Sequence, residues 1–152
     1  MLKRIVVILA VMLGAAAGLS AQTAVEQVII KYEDTSGARY FIAQGARMVL
    51  ARRLLQSTQV APIAKDVEEL YILKMQDASQ SVRIRFENDL KAALRSYKYY
   101  GKQPSRNGEV DVYIHRDLTG TVDELVIFNP AIDSLNSLSG SFTDSELLAL
   151  KK

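Results

Sequence analysis

Four side chains in this chain have the types and spacing that acid–base chemistry needs: Tyr113, His115, Glu124 and Glu69. Tyr113 and His115 lie in the alternating segment EVDVYIHR, from Glu109 to Arg116, and Glu124 lies in TVDELVIF, from Thr121 to Phe128. The period of two predicts two strands. Asp117-Leu118-Thr119-Gly120 between them predicts a turn. With a four-residue turn, Val112 stands opposite Leu125, Val110 opposite Ile127 and Tyr113 across from Glu124. The core face then carries Val110, Val112 and Ile114. The other face carries Asp111, Tyr113, His115, Val122, Glu124 and Val126.

Glu69 enters through an internal echo. Val67 to Leu73 (VEELYIL) reads like Val122 to Phe128 (VDELVIF), and Glu69 matches Glu124. Neighbouring strands would bring the two carboxylates close enough to raise one another's pKa. Paired carboxyls beside a histidine are the raw material of general acid–base catalysis. The plainer reading is a solvated outer sheet face, and two buried strands reusing one pattern. The four residues therefore form a speculative surface site, with no residue assigned as catalytic.

His115 is the chain's one histidine, which excludes every motif needing two. A metal would need carboxylate partners that the sequence does not place, so no metal site is assigned. The phosphate loop, the dinucleotide glycine fingerprint, the metalloprotease helix and the calcium loop are all missing. Ser139-Gly140-Ser141 lacks the frame of a nucleophile elbow. No cofactor is expected. Lys91, Arg95, Lys98, Lys102 and Arg106, interleaved with Tyr97, Tyr99 and Tyr100, form a basic-aromatic stretch. Such stretches bind single-stranded nucleic acid, but charge argues against it here, as shown below. A solvated helix end, with tyrosines capping the core, is the simpler account.

The elements that must position these residues read as follows. Val25, Val28, Ile29 and Tyr32 share one helical face. Arg39 to Ala43 is a strand. A second helix turns Met48, Ala51 and Leu55 inward. Val67 to Met75 is a strand, and Ala78 to Tyr97 a long helix with Glu87 and Lys91 spaced for an ion pair. Gly101 to Gly108 reads as a polar loop. After the hairpin, Asn136 to Phe142 is a last strand, with Leu138 and Phe142 inward and Ser137, Ser139 and Ser141 outward. Thr143 and Glu146 make a capping box that opens a terminal helix. The order α-β-α-β-α-β-β-β-α predicts an α+β fold. The expected form is a two-layer sandwich: one mixed sheet of about five strands, helices mainly on one face, and an early parallel right-handed crossover.

The first 21 residues have the layout of a cleavable export signal. Lys3 and Arg4 precede the apolar run Ile5 to Leu13, and small residues lead to a cleavage site between Ala21 and Gln22. The whole apolar run, Ile5 to Leu19, falls short of the roughly 20 residues of a spanning helix. The chain has no cysteine, which closes the lipoprotein route and rules out disulfides. Without Lys3 and Arg4, the 19 basic residues become 17, against 17 acidic. A neutral exported chain is a poor partner for nucleic acid. Residues 22–152 are expected to be one domain, soluble in the periplasm, with no stable membrane anchor after cleavage.

The segments KYEDTSGARYF, VEELYILKM, SYKYY, VDVYIHRD, DELVIFNP and LSGSF together resemble the small secreted bacterial proteins grouped as domain of unknown function 4252. The resemblance runs from Val25 to Leu150. It implies an envelope location in Gram-negative bacteria and brings no established activity, cofactor or catalytic residue. Some members of that family sit beside sigma-factor and anti-sigma genes, which points to envelope signalling. Some are lipoproteins; this chain, lacking cysteine, departs from them. The expected function is a non-enzymatic binding or interaction module, in envelope stress sensing or signalling, with an envelope or membrane protein as partner. The alternatives are a hydrolase-like enzyme using the Tyr/His/Glu face, and a carrier of an apolar ligand.

Overall fold

The computed structural model describes residues 22–151. The export segment and Ala21 lie outside the described residues. Helix α1 (Ala24–Tyr32) is followed by β1 (Arg39–Gln44), α2 (Arg47–Leu55), a 3-10 turn (Ala61–Asp66) and β2 (Val67–Lys74). Next come α3 (Gln80–Ala93), a short 3-10 turn (Leu94–Ser96), β3 (Lys98–Ser105), β4 (Gly108–Arg116), β5 (Val122–Asn129), β6 (Ser134–Phe142) and α4 (Asp144–Ala149). The fold is α+β: helices on one open six-stranded sheet of order β1-β2-β6-β5-β4-β3.

Every pairing is antiparallel, so the sheet is not mixed. Gln44, ending β1, pairs with Glu69 near the start of β2. Helix α2 carries the chain away and the following segment carries it back, so β2 starts beside the end of β1. The parallel crossover expected there is therefore absent. The sixth strand is β3, which covers most of the stretch read as a polar loop. Pro104 and the lysines disguise it, because such residues are tolerated at a sheet edge, where one side of the strand has no partner. Helix α3 stops short of Tyr97, whose backbone is already extended.

Both faces of the sheet are covered. Helices α1 and α3 pack over Tyr71, Leu73, Val126 and Leu135, with Phe86 of α3 fully buried. Tyr32 meets Phe86 edge-on at 5.6 Å, and its hydroxyl donates to Asp89 at 2.6 Å, tying α1 to α3. On the opposite face, Met48 and Ala51 of α2, Ile63 of the 3-10 turn and Leu147 of α4 pack over Leu70, Val112, Ile114, Leu125 and Leu138. The helices thus do not gather mainly on one face: α1 and α3 lie on one side, and α2 and α4 cover part of the other. Thr143 and Glu146 form the expected capping box of α4, and Thr23 and Glu26 form a second at α1. Among the described residues Glu87 and Lys91 form no ion pair within 4.0 Å, and the Glu87 carboxyl is pushed up chiefly by burial and by the nearby Asp133.

Candidate functional site

The hairpin register differs from expectation by two residues. Val112 pairs with Ile127, Ile114 with Leu125, Tyr113 with Val126, and His115 with Glu124. The loop between the strands has one residue more than a four-residue turn, with Arg116 opposite Val122. Asp117 organises it, accepting from the Thr119 and Thr121 amides at 2.9 and 3.1 Å. A bulge at Asp123 adds the second residue. From Glu124 onward a shift of two preserves the faces, since side chains alternate with period two. Val110, Val112 and Ile114 therefore remain core, but the bulge turns Val122, expected on the face of Glu124, into the core with them.

Glu69 and Glu124 both pair with Ser139, from opposite sides. Gln44 pairs with Glu69, and His115 with Glu124. One polar row thus crosses five strands: Gln44, Glu69, Ser139, Glu124, His115. The two glutamates are separated by the whole of β6, about 9.6 Å between backbones at ordinary strand spacing. They are not adjacent. Glu26 descends from α1 onto the row and accepts from the Ser139 hydroxyl at 2.8 Å.

Glu124 has no exposed surface. The hydroxyls of Ser137 and Thr23 donate to its Oε2 at 2.5 and 2.9 Å, and the Tyr97 hydroxyl donates to its Oε1. Burial pushes its carboxyl pKa above the ordinary value, and these three donors pull the other way. Glu26, only 3% exposed, is also pushed up by burial. Glu69 is raised by burial and by the nearby Glu26. The Tyr97 hydroxyl is raised by burial and by the Glu124 charge it faces. Gln44 donates to the Tyr71 hydroxyl at 2.6 Å, and burial pushes that phenol up to about 12.

His115, half-buried, ends the row on β4. Its Nδ1 lies 2.7 Å from Asp123 Oδ1, and its ring packs 5.5 Å from that of Tyr97. The Asp123 bulge makes this pair possible. Tyr113 packs edge-on against Tyr99 at 5.2 Å and makes no contact with the Glu124 carboxylate group of donors. Of the four residues singled out in the sequence, only His115 and Glu124 are direct partners. Each oxygen of Glu124 is occupied by a donor, and α1 closes over it. A solute reaches this carboxylate only if α1 moves.

Ser137, Ser139, Thr23, Glu26 and Tyr97 complete the row, and the sequence reading missed their part in it. The pattern of β6 predicts that both serines face solvent, yet Ser137 is fully buried, because α1 covers a face expected to be open. Thr23 and Glu26 carried a detectable signal: Thr followed three residues later by Glu is the capping-box spacing. Among the described residues, no cluster of His, Asp and Glu has the makings of a metal site. No described helix is long and apolar enough to cross a membrane.

The sheet's other face holds a cavity of about 750 Å³. Leu70, Ile72, Val110, Ile127 and Leu138 form its apolar floor, Leu55 and Val60 one wall, and Arg106 and Asn107 of the β3–β4 turn the other. Asn136 also lines it, and its buried Oδ1 has no hydrogen-bond partner among the described residues. The cavity exists because α2 and α4 cover only part of this face. Its volume lies within the 300–1,000 Å³ typical of small-molecule sites. Comparison of the chain with protein-family models, curated proteins and solved structures gives no match.

Proposed function

We propose that this protein is a non-enzymatic binding module of the bacterial envelope, whose ligand occupies the cavity over β2, β6 and β5. The export segment supports the location, as does the resemblance to domain of unknown function 4252. The observation that carries the reading is the cavity floor, built of apolar side chains from four strands. The ligand is therefore mainly apolar, and Arg106 at the rim favours an additional acidic group. The sealed state of Glu124 weighs against the hydrolase-like alternative. A role in envelope signalling would follow if occupancy of the cavity changed the affinity for an envelope protein.

The test is titration with the environment-sensitive dye anilinonaphthalene sulfonate, which is apolar and anionic. Saturable binding is expected. Ile72→Trp, which fills the floor, should weaken it at least about tenfold, a change of about 1.4 kcal/mol. His115→Ala, on the other face, should leave it unchanged. Equal dye binding by the Ile72→Trp variant would overturn the assignment.

A further inference from the structure

Helix α2 is turned the wrong way for a surface helix. Met48, Ala51, Arg52 and Leu55 form its inward stripe, and the Arg52 side chain is spent on the Val67 carbonyl at 2.9 Å. Its outward face should be polar. Instead it carries Val49, Leu50 and Leu54, which are 59%, 64% and 59% exposed, with Arg47 and Arg53 between and beside them. No acidic and no neutral hydrogen-bonding side chain lies on that face.

Along the sequence, the charge on either side of α2 has one sign. From Thr35 to Lys65 the chain has five basic residues and no acidic one, although the whole mature chain is balanced. Arg39 is paired with Asp77 at 3.1 Å. Among the described residues, Arg47 and Arg53 have no ion-pair partner within 4.0 Å. Phe41, 45% exposed, lies on the same side of edge strand β1 as Ala43, which α2 covers.

We propose that α2 docks this protein on an anionic phospholipid surface. Val49, Leu50 and Leu54 enter the acyl boundary, and Arg47 and Arg53 meet the headgroup phosphates. Aliphatic residues interleaved with arginine suit this interface, because the apolar stems sink while the guanidinium groups stay wet. Charge makes a bilayer a better occupant than a protein: Arg47 and Arg53 are unpaired among the described residues and α2 has no acidic side chain, which matches an anionic surface. One short helix gives a weak, reversible attachment that depends on the anionic charge of the surface. Leu55 ends α2 and also lines the cavity, so docking brings the cavity wall to the bilayer. The proposal does not depend on the cavity binding anything.

The experiment is vesicle flotation of the purified protein, with phosphatidylglycerol–phosphatidylcholine mixtures and with phosphatidylcholine alone. Flotation with the anionic vesicles only is expected, and it should fade when salt shortens the screening length well below about 10 Å. The double variant Leu50→Glu/Leu54→Glu should lower the bound fraction at least about tenfold, as should Arg47→Glu/Arg53→Glu. All four side chains are exposed, so thermal melting should stay as in the parent, and dye binding in the cavity reports separately on the ligand site. Three results would each overturn the proposal. The first is no flotation. The second is flotation equal for parent and variants, which would place the attachment outside α2. The third is a dimer or an acidic protein partner that the leucine variant abolishes while vesicles go unbound.

Discussion

Glu69 and Glu124 flank Ser139 in register, one from β2 and one from β5. The same holds along both strands: Leu70 and Leu125 share Leu138, Tyr71 and Val126 share Ser137, and Ile72 and Ile127 share Asn136. Both pairings carry an irregularity next to the glutamate, at Glu68 and at Asp123. The repeated sequence pattern is thus a repeated environment around one central strand. From Glu69 and Glu124 to Leu73 and Phe128 each echoed position meets the same neighbour and the same face, whereas Val67 pairs with Gly140 and Val122 with Phe142. The two glutamates nonetheless have different fates, because α1 and Tyr97 close over Glu124 and leave Glu69 partly open.

The first prediction concerns pH. Glu26, Glu69 and Glu124 have folded-state carboxyl pKa values raised above the ordinary 4.5, with burial the largest cause. A raised carboxyl contributes stability that is fully present below 4.5 and lost as pH rises through the folded value. Asp89 and Asp117 are shifted the other way, below 3.8, so their contribution is already complete in this window. Stability should therefore fall as pH is raised from 4.5 toward neutrality, by up to about 1.4 kcal/mol per pH unit for each proton released. Thermal melts of Glu124→Gln across this range should show a shallower slope than the parent. An unchanged slope would exclude Glu124 as a source of the dependence.

A second prediction tests the donors around that carboxylate. Tyr97→Phe removes one hydroxyl and leaves a buried, charged oxygen short of a partner. Such a loss costs about 1–3 kcal/mol. In the Glu124→Gln background the loss should be smaller, since the remaining acceptor is neutral. Urea denaturation of the two single variants and the double variant measures this coupling. Additive effects would mean that the Tyr97–Glu124 hydrogen bond does not stabilise the fold through the carboxylate charge.

Gly140 supplies a third. It pairs with Val67, and a Cβ placed there would sit 2.1 Å from the Asp66 carbonyl oxygen, which is backbone and cannot swing aside. Gly140→Ala must push apart β6 and the turn that leads into β2. The expected destabilisation is about 1–3 kcal/mol or more, seen as a lower melting temperature. Alanine at Gly45, where nothing lies within 4 Å, gives the comparison for backbone strain alone.

Much of this architecture is legible in local pattern. The period-two alternation of Glu109 to Arg116 gave β4 its two faces, and the inward stripe of α2 at Met48, Ala51 and Leu55 needed only helical spacing. The last capping box could be read from Thr143 and Glu146. Strand β3 could not, because Gly101, Pro104 and the two lysines within it look like a loop until the sheet edge explains them.

What the chain's sequence determines by itself is therefore the kind and facing of the regularly patterned elements, since these depend on neighbours within a few residues. The tertiary structure decided the rest. It placed β6 between the echoed strands, laid helices on both faces, sealed Glu124 beneath Thr23 of α1 and left Asn136 unpartnered over an open floor. Burial and contact between Thr23 and Glu124, 101 positions apart, depend on where the chain returns in space. Local periodicity holds no record of that path.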